Sequence, residues 1–188
     1  LPLIYSAGFH PQPRVAFGPA VAVGYLSRAE YVDVTLSRRM EIKDIMDAVN
    51  INLPAGFRMV AGKQITVLNS SLDATLNFAE YSIDLRELNL NRDVINQRIN
   101  EYLTRPEYFI IKKITQPAER VNLKELVHSC ELQQDVLCLK LRFKPKKNIK
   151  PELAVQQILN LADEEVQLLI ITREDLFYED QTGNLSLP

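Results

Sequence analysis

The sequence predicts an α+β fold built from two tandem ferredoxin-like (split βαβ) units, the first lacking its opening strand and helix. Three observations carry this reading. The second half of the chain alternates period-2 and period-3.6 apolar patterns in the order β-α-β-β-α-β. The first half shows β-β-α-β, the same order without its first two elements. A polar, turn-forming run, Asn69-Ser-Ser-Leu-Asp73, separates the halves. The units are therefore expected at residues 1–73 and 74–176, with 177–188 as a tail. The chain starts at Leu1 rather than Met, so it is expected to be a fragment, and either an upstream segment, a partner or a different topology makes good the missing strand and helix.

Each element has its own local cause. The first 24 residues hold four of the ten prolines and three of the six glycines, which excludes a helix there. Tyr5–Phe9 is expected to be extended, His10–Pro13 a turn, and Val15–Val23 a strand interrupted at Gly18-Pro19. In Tyr31–Leu36, Val32, Val34 and Leu36 alternate with Tyr31, Asp33 and Thr35, the pattern of a strand. Ile42, Ile45, Met46 and Val49 fall on one face of a helix over Glu41–Leu53. Pro54 and Gly56 stop it, and Phe57–Leu68 is expected as the next strand. Tyr81, Ile83 and Leu85 alternate with Glu80, Ser82 and Asp84. Asn91 is placed to cap a helix whose stripe is Ile95, Ile99, Tyr102 and Leu103, ended by Pro106. Strands are expected at Tyr108–Thr115, within Val121–Leu132, and at Val136–Phe143, where Leu137, Leu139, Leu141 and Phe143 face the core. Pro151 opens a helix with Ala154, Val155, Ile158, Leu159 and Ala162 inward, and Val166–Thr172 closes the sheet.

Composition narrows the function classes. Of 188 residues, 46% are hydrophobic and 24% charged, the balance of a globular chain that buries a core rather than a disordered, collagenous or coiled-coil one. No apolar run approaches the roughly 20 residues of a membrane span. With 22 basic and 24 acidic side chains the net charge is −2, which argues against coating nucleic acid by overall charge and leaves only a local patch. Two cysteines, Cys130 and Cys138, are too few for a disulfide scaffold, and Leu1–Ala7 has no signal-peptide pattern, so a cytoplasmic location is expected.

The densest motif is Tyr5-Ser6-Ala7-Gly8-Phe9-His10-Pro11-Gln12-Pro13-Arg14, then Phe17 and Pro19, Gly24, and Ser27-Arg28-Ala29-Glu30-Tyr31-Val32-Asp33. This run resembles the radical SAM-linked protein family, an uncharacterised bacterial domain fused to, or encoded beside, cobalamin-type radical SAM proteins. The resemblance extends loosely to about Thr172, and its specific part is confined to the first 33 residues. It implies a radical SAM protein as partner. It also implies an upstream strand, a Ser-His-Leu-Asp element and a basic helix, none of which this sequence contains.

From the residues themselves, Tyr5, Ser6, Gly8, Phe9, His10, Arg14, Phe17, Glu30 and Asp33 are the candidate ligand-binding set. Arg14 is the only formal charge before Arg28 and stands among aromatics, where its planar fork suits a phosphate or carboxylate while a base stacks nearby. The structural alternative is Arg14 paired with Glu30 or Asp33. The resembling family accepts Asn at the position of His10, so hydrogen bonding rather than proton transfer is its expected role. A hairpin turning at Gln133-Gln134-Asp135 would set Cys130 opposite Cys138 and His128 opposite Lys140. That face lacks zinc-ligand spacing, so neither a metal nor any other cofactor is expected. Lys140, Arg142, Lys144, Lys146, Lys147 and Lys150 form a basic run without an intervening acid, either a solvated face or a phosphate-tracking patch.

No nucleophile–base pair, phosphate loop or dinucleotide fingerprint occurs in the sequence, so no catalytic residue is assigned. The expected function is an accessory domain that presents a substrate, RNA or a ribosome-related component, to a radical SAM enzyme. An RNA-directed enzyme such as a metal-independent nuclease, and a purely protein-docking module, are the alternatives.

Overall fold

Apolar alternation and helix caps set most of the secondary structure of this α+β chain, and side-chain hydrogen bonds set one of the departures from it. A computed structural model describes residues 1–65, 71–112, 119–143 and 148–188. In chain order they form β1 (Val15–Phe17), β2 (Leu26–Ser27), β3 (Val32–Val34), α1 (Ile42–Asn50), α2 (Leu72–Thr75), β4 (Phe78–Asp84), α3 (Arg92–Thr104) and β5 (Phe109–Lys112). There follow β6 (Glu119–Asn122), a 3-10 turn at Leu123–Glu125, β7 (Val127–Gln133), β8 (Val136–Arg142), α4 (Pro151–Leu159), α5 (Asp163–Val166), β9 (Ile170–Glu179) and β10 (Leu185–Ser186). The chain divides into two units, Leu1–Pro19 with Tyr31–Thr75, and Ala20–Glu30 with Leu76–Pro188.

In the first unit β1 and β3 pair antiparallel, with Val15 opposite Val34 and Phe17 opposite Val32. This register puts four apolar side chains on one face, of which Phe17, Val32 and Val34 are exposed. Among the described residues of this unit none is buried. The helix expected over Glu41–Leu53 is shorter, Ile42–Asn50. The strand expected over Phe57–Leu68 is absent from 57–65, and 66–68 lie outside the described residues. The physical reason is Asn50. Its amide donates to the Met59 carbonyl (3.1 Å) and accepts from the Met59 N–H (2.7 Å), taking both backbone groups that a ladder would use.

The second unit is built on a sheet of order β10-β9-β4-β8-β7, antiparallel throughout, with β2 added in parallel to β9. Read by sequence, β4-α3-β7-β8-α4-β9 places the first strand between the fourth and the third. Ile83 and Leu85, Leu137, Leu139 and Leu141, and Ile171 lie in one core with Ile95, Ile99 and Tyr102 of α3 and Ala154, Val155, Ile158 and Leu159 of α4. Asn91 caps α3 by accepting from the Asp93 N–H at 2.8 Å, and Pro151 is the first residue of α4, where its missing N–H has no intrahelical partner to lose.

Several expectations are corrected here. Leu103 and Ala162 are exposed rather than inward. Phe143 is only half-buried and lies past the end of β8. Strand β5 pairs only with β6, in a separate two-stranded sheet, so Tyr108–Lys112 is not part of the main sheet. Val166 ends α5 instead of starting a strand, because three acids at Asp163–Glu165 suit a helix N-terminus. β9 runs on to Glu179 and pairs with β10, so Phe177–Glu179 and Leu185–Ser186 of the expected tail belong to the sheet. No helix among the described residues is long and apolar enough to cross a membrane.

Candidate functional site

The structure separates the predicted residues into three places. Tyr5, Ser6, Gly8, Phe9, His10, Arg14, Phe17 and Asp33 lie in the first unit, Glu30 in the second, and Lys140, Arg142 and Lys150 of the basic run on β8 and just before α4.

In the first unit the two prolines and Gly8 bend the chain back on itself. Tyr5 bridges Pro13, the Ser6 N–H donates to the Gln12 carbonyl at 2.8 Å, and the Gln12 N–H donates to Ser6 Oγ at 3.0 Å. These bonds close the Ser6–Gln12 loop at its base. Gly8 takes φ +140°, a conformation L side chains rarely adopt, with open space around it. At the tip Phe9 is 98% exposed, its ring edge-on to His10 at 5.6 Å. An aromatic ring so fully in water gains nothing for the fold and is free to meet a partner. Arg14 is held through its backbone alone, donating to the Ile4 carbonyl at 2.7 Å and accepting from the Thr35 N–H at 3.0 Å. Its guanidinium is exposed and makes no ion pair among the described residues. Asp33, cross-strand from Ala16, is half-buried, and burial pushes its carboxyl above the ordinary range.

Glu30, one of the two acids offered to Arg14 by the structural alternative, goes elsewhere. Its Oε1 accepts from Arg173 Nη2 and from Ser27 Oγ, each at 2.5 Å. Arg173 stands on β9 and is 2% exposed. Around this pair the Ala20–Glu30 segment is fastened to its own unit: the Arg28 N–H donates to the Arg173 carbonyl at 2.9 Å, Arg28 pairs with Glu174 at 3.2 Å, and the Tyr25 hydroxyl donates to Glu152. Burial and the adjoining carboxylate hold the Tyr25 hydroxyl above its usual range. Tyr25 meets Tyr81 edge to face. Sequence reasoning did not find Arg173, Tyr25 or Glu152. The one available signal was Arg173 as the lone cation among seven acids between Asp163 and Asp180.

The basic run is partly spent inside the unit. Lys140 pairs with Glu80 (3.5 Å) across β4–β8, its ammonium over the Phe177 ring. Arg142 pairs with Glu179 (2.6 Å) and lies over Phe78, and Lys150 pairs with Glu152 (3.6 Å). Lys144, Lys146 and Lys147 lie outside the described residues.

The supposed Cys-Cys-His face does not form. β7 and β8 are joined by a two-residue turn, Gln134-Asp135, with φ +56° at Gln134, so Gln133 pairs with Val136. That is one residue off the expected register, and a one-residue slip sends a side chain to the other face. Cys130 lies opposite Leu139 in the core, while Cys138 lies opposite Glu131 on the other face. Burial pushes the Cys130 thiol up to about 12. His128 sits at a bulge, its ring against Phe78 at 5.3 Å. Among the described residues no group of His, Cys, Asp and Glu is placed to hold a metal.

A family of uncharacterised proteins conserved in bacteria, DUF2344, matches residues 1–161, and the chain belongs to it. Nothing in that match links the family to radical SAM proteins. No curated protein and no solved structure matches the chain.

Proposed function

We propose that this protein is an accessory binding domain that presents a substrate, RNA or a ribosome-related component, to a partner enzyme. The single observation behind the binding role is the Ser6–Gln12 loop, whose closed base projects Phe9 into solvent and leaves the Arg14 guanidinium unpaired among the described residues. No acid occurs before Glu30, so an anion approaching this loop meets no repulsion from neighbours in sequence. A base stacks on Phe9 or Tyr5, and Arg14 takes a phosphate through its fork. The partner, a radical SAM protein, rests on the resemblance of the Tyr5–Asp33 motif alone. The split-βαβ reading of the second unit is supported by its strand order, and the first unit is read as an incomplete copy of it.

Filter binding with tRNA and rRNA fragments tests this reading. Saturable binding is expected, and Arg14→Lys is expected to weaken it while the melting temperature stays near wild type, because the fork is lost and no fold contact is. No binding at 50 mM salt overturns RNA as the substrate. In that case the second reading, a protein-docking module, gains support from the exposed apolar face of Phe17, Val32 and Val34.

A further inference from the structure

Outside its main sheet the second unit carries the β5–β6 hairpin, whose register sorts its side chains. Phe109 lies opposite Asn122 and Ile111 opposite Arg120, so these four share one face, while Ile110, Val121, Lys112 and Glu119 share the other. Ile110 is buried in the core, which leaves the first face in solvent, and Phe109, Ile111 and Arg120 are all exposed there. The Arg120 guanidinium lies over the Phe109 ring, Cζ 3.9 Å from its centroid. Asn122 ties the hairpin to its surroundings, its Oδ1 accepting from the Tyr108 N–H at 3.0 Å and the Lys124 N–H at 3.1 Å. Two more cations stand on rings at this place. Arg105 lies over Tyr108 at 5.4 Å and Lys124 over Tyr102 at 4.1 Å, and the two tyrosines meet edge to face at 5.3 Å. Three such contacts within residues 102–124 far exceed the usual density of roughly one per 70–80 residues. Lys140 and Arg142 also lie over rings, but Glu80 and Glu179 neutralise them. Arg105, Arg120 and Lys124 pair with no acid among the described residues.

We infer that the β5–β6 hairpin and the adjoining C-terminus of α3 bind single-stranded RNA. A base stacks on the Phe109–Arg120 pair, because ring faces and guanidinium planes accept any base. Ile111 gives the same face an apolar flank, and the three unneutralised cations take phosphates along the strand. Duplex RNA keeps its base faces inside its own stack and offers none to Phe109. An acidic protein could satisfy the cations, but the hairpin face offers it only two exposed apolar side chains, against about 20–30 residues a side in a stable protein interface. The inference rests on RNA as the proposed ligand and places it on a surface of the second unit, whereas the Ser6–Gln12 loop belongs to the first.

Fluorescence anisotropy of the full chain with a labelled single-stranded RNA of about ten nucleotides, within the roughly 4–16 that one such surface tracks, tests this. Duplex RNA and poly-L-glutamate serve as competitors. Saturable binding is expected at about 50 mM salt, with both competitors at least about fivefold weaker than unlabelled single strand. Phe109→Leu keeps an apolar chain and loses the ring. It is expected to weaken binding at least about fivefold, the low end for one lost stack, without changing the slope of log affinity against log salt. Arg120→Gln is expected to weaken binding and to flatten that slope by about 0.7, one phosphate contact on a single strand. Both side chains are exposed, so circular dichroism should stay that of wild type. Wild-type affinity in both variants, while Arg14→Lys binds weakly, overturns this inference and leaves RNA binding at the loop standing. Competition by poly-L-glutamate or duplex equal to that of single strand also overturns it, and no binding by the wild type overturns it together with the RNA reading.

Discussion

Removing Glu30 and removing Arg173 break the same ion pair, and the structure says that the two losses are unequal. Arg173 is 2% exposed, whereas the side chain of Glu30 is 50% exposed. Glu30→Ala leaves a guanidinium with its charge out of water, and breaking a buried pair from that side costs about 3–5 kcal/mol. The half-exposed carboxylate is screened by solvent, so a discounted loss of about 2–3 kcal/mol is expected. Ser27 Oγ loses this acceptor too and keeps the Ala29 carbonyl at 3.4 Å, so its share of the loss is small. Arg173→Met leaves the Glu30 carboxylate where water already reaches it, and it fills the buried site with an apolar chain of similar length; about 1 kcal/mol or less is expected. A unit of this size melts with an entropy that converts 1 kcal/mol to about 4 °C. Glu30→Ala should therefore lower the melting temperature by about 8–12 °C, and Arg173→Met by about 4 °C or less. The chain has no tryptophan, so far-ultraviolet circular dichroism during heating is the suitable assay. A loss under about 4 °C for Glu30→Ala, or a larger loss for Arg173→Met than for Glu30→Ala, refutes the reasoning.

Four further outcomes concern the basic run, Cys130 and Gln134. Replacing Lys144, Lys146 and Lys147 by Gln is expected to flatten the slope of log affinity for RNA against log salt by about 0.7 per phosphate contact removed; an unchanged slope places the phosphate contacts elsewhere. Cys130, with its thiol raised by burial to about 12, should resist alkylation at pH 8 in the native protein while Cys138 reacts, and both should react in denaturant, as mass spectrometry of the labelled protein will show. For the same group the folded value lies above the ordinary thiol value of 9.0, so the neutral thiol's contribution to stability is whole below about 9 and is lost as pH rises toward about 12. Gln134→Gly should raise stability by about 0.5–1 kcal/mol, because φ +56° penalises a side chain and not glycine; a denaturant midpoint below wild type contradicts this.

The sequence by itself determined the local elements wherever one physical cause dominates. The i, i+4, i+7 stripe at Ile95, Ile99 and Tyr102, the Asn91 cap, the Pro151 start and the alternation of Leu137, Leu139 and Leu141 all produce the elements that the structure contains, because helix and strand periodicities are local. The Ser6–Gln12 loop was legible for the same reason, since prolines and Gly8 restrict the backbone wherever they occur. Only the tertiary structure decided what those elements meet. Ser27-Arg28-Ala29-Glu30 reads as continuous with the Tyr5–Arg14 motif, yet Glu30 spends its carboxylate on Arg173, 143 residues away, because a buried guanidinium demands an anion wherever the fold finds one. The β7–β8 register turned on one left-handed residue, Gln134, whose identity does not announce positive φ, and that single residue moved Cys130 into the core and dissolved the face on which Cys138 was expected to join it. Asn50 similarly reads as the polar end of a helix, and nothing in its neighbours foretells that its amide will take the backbone of Met59.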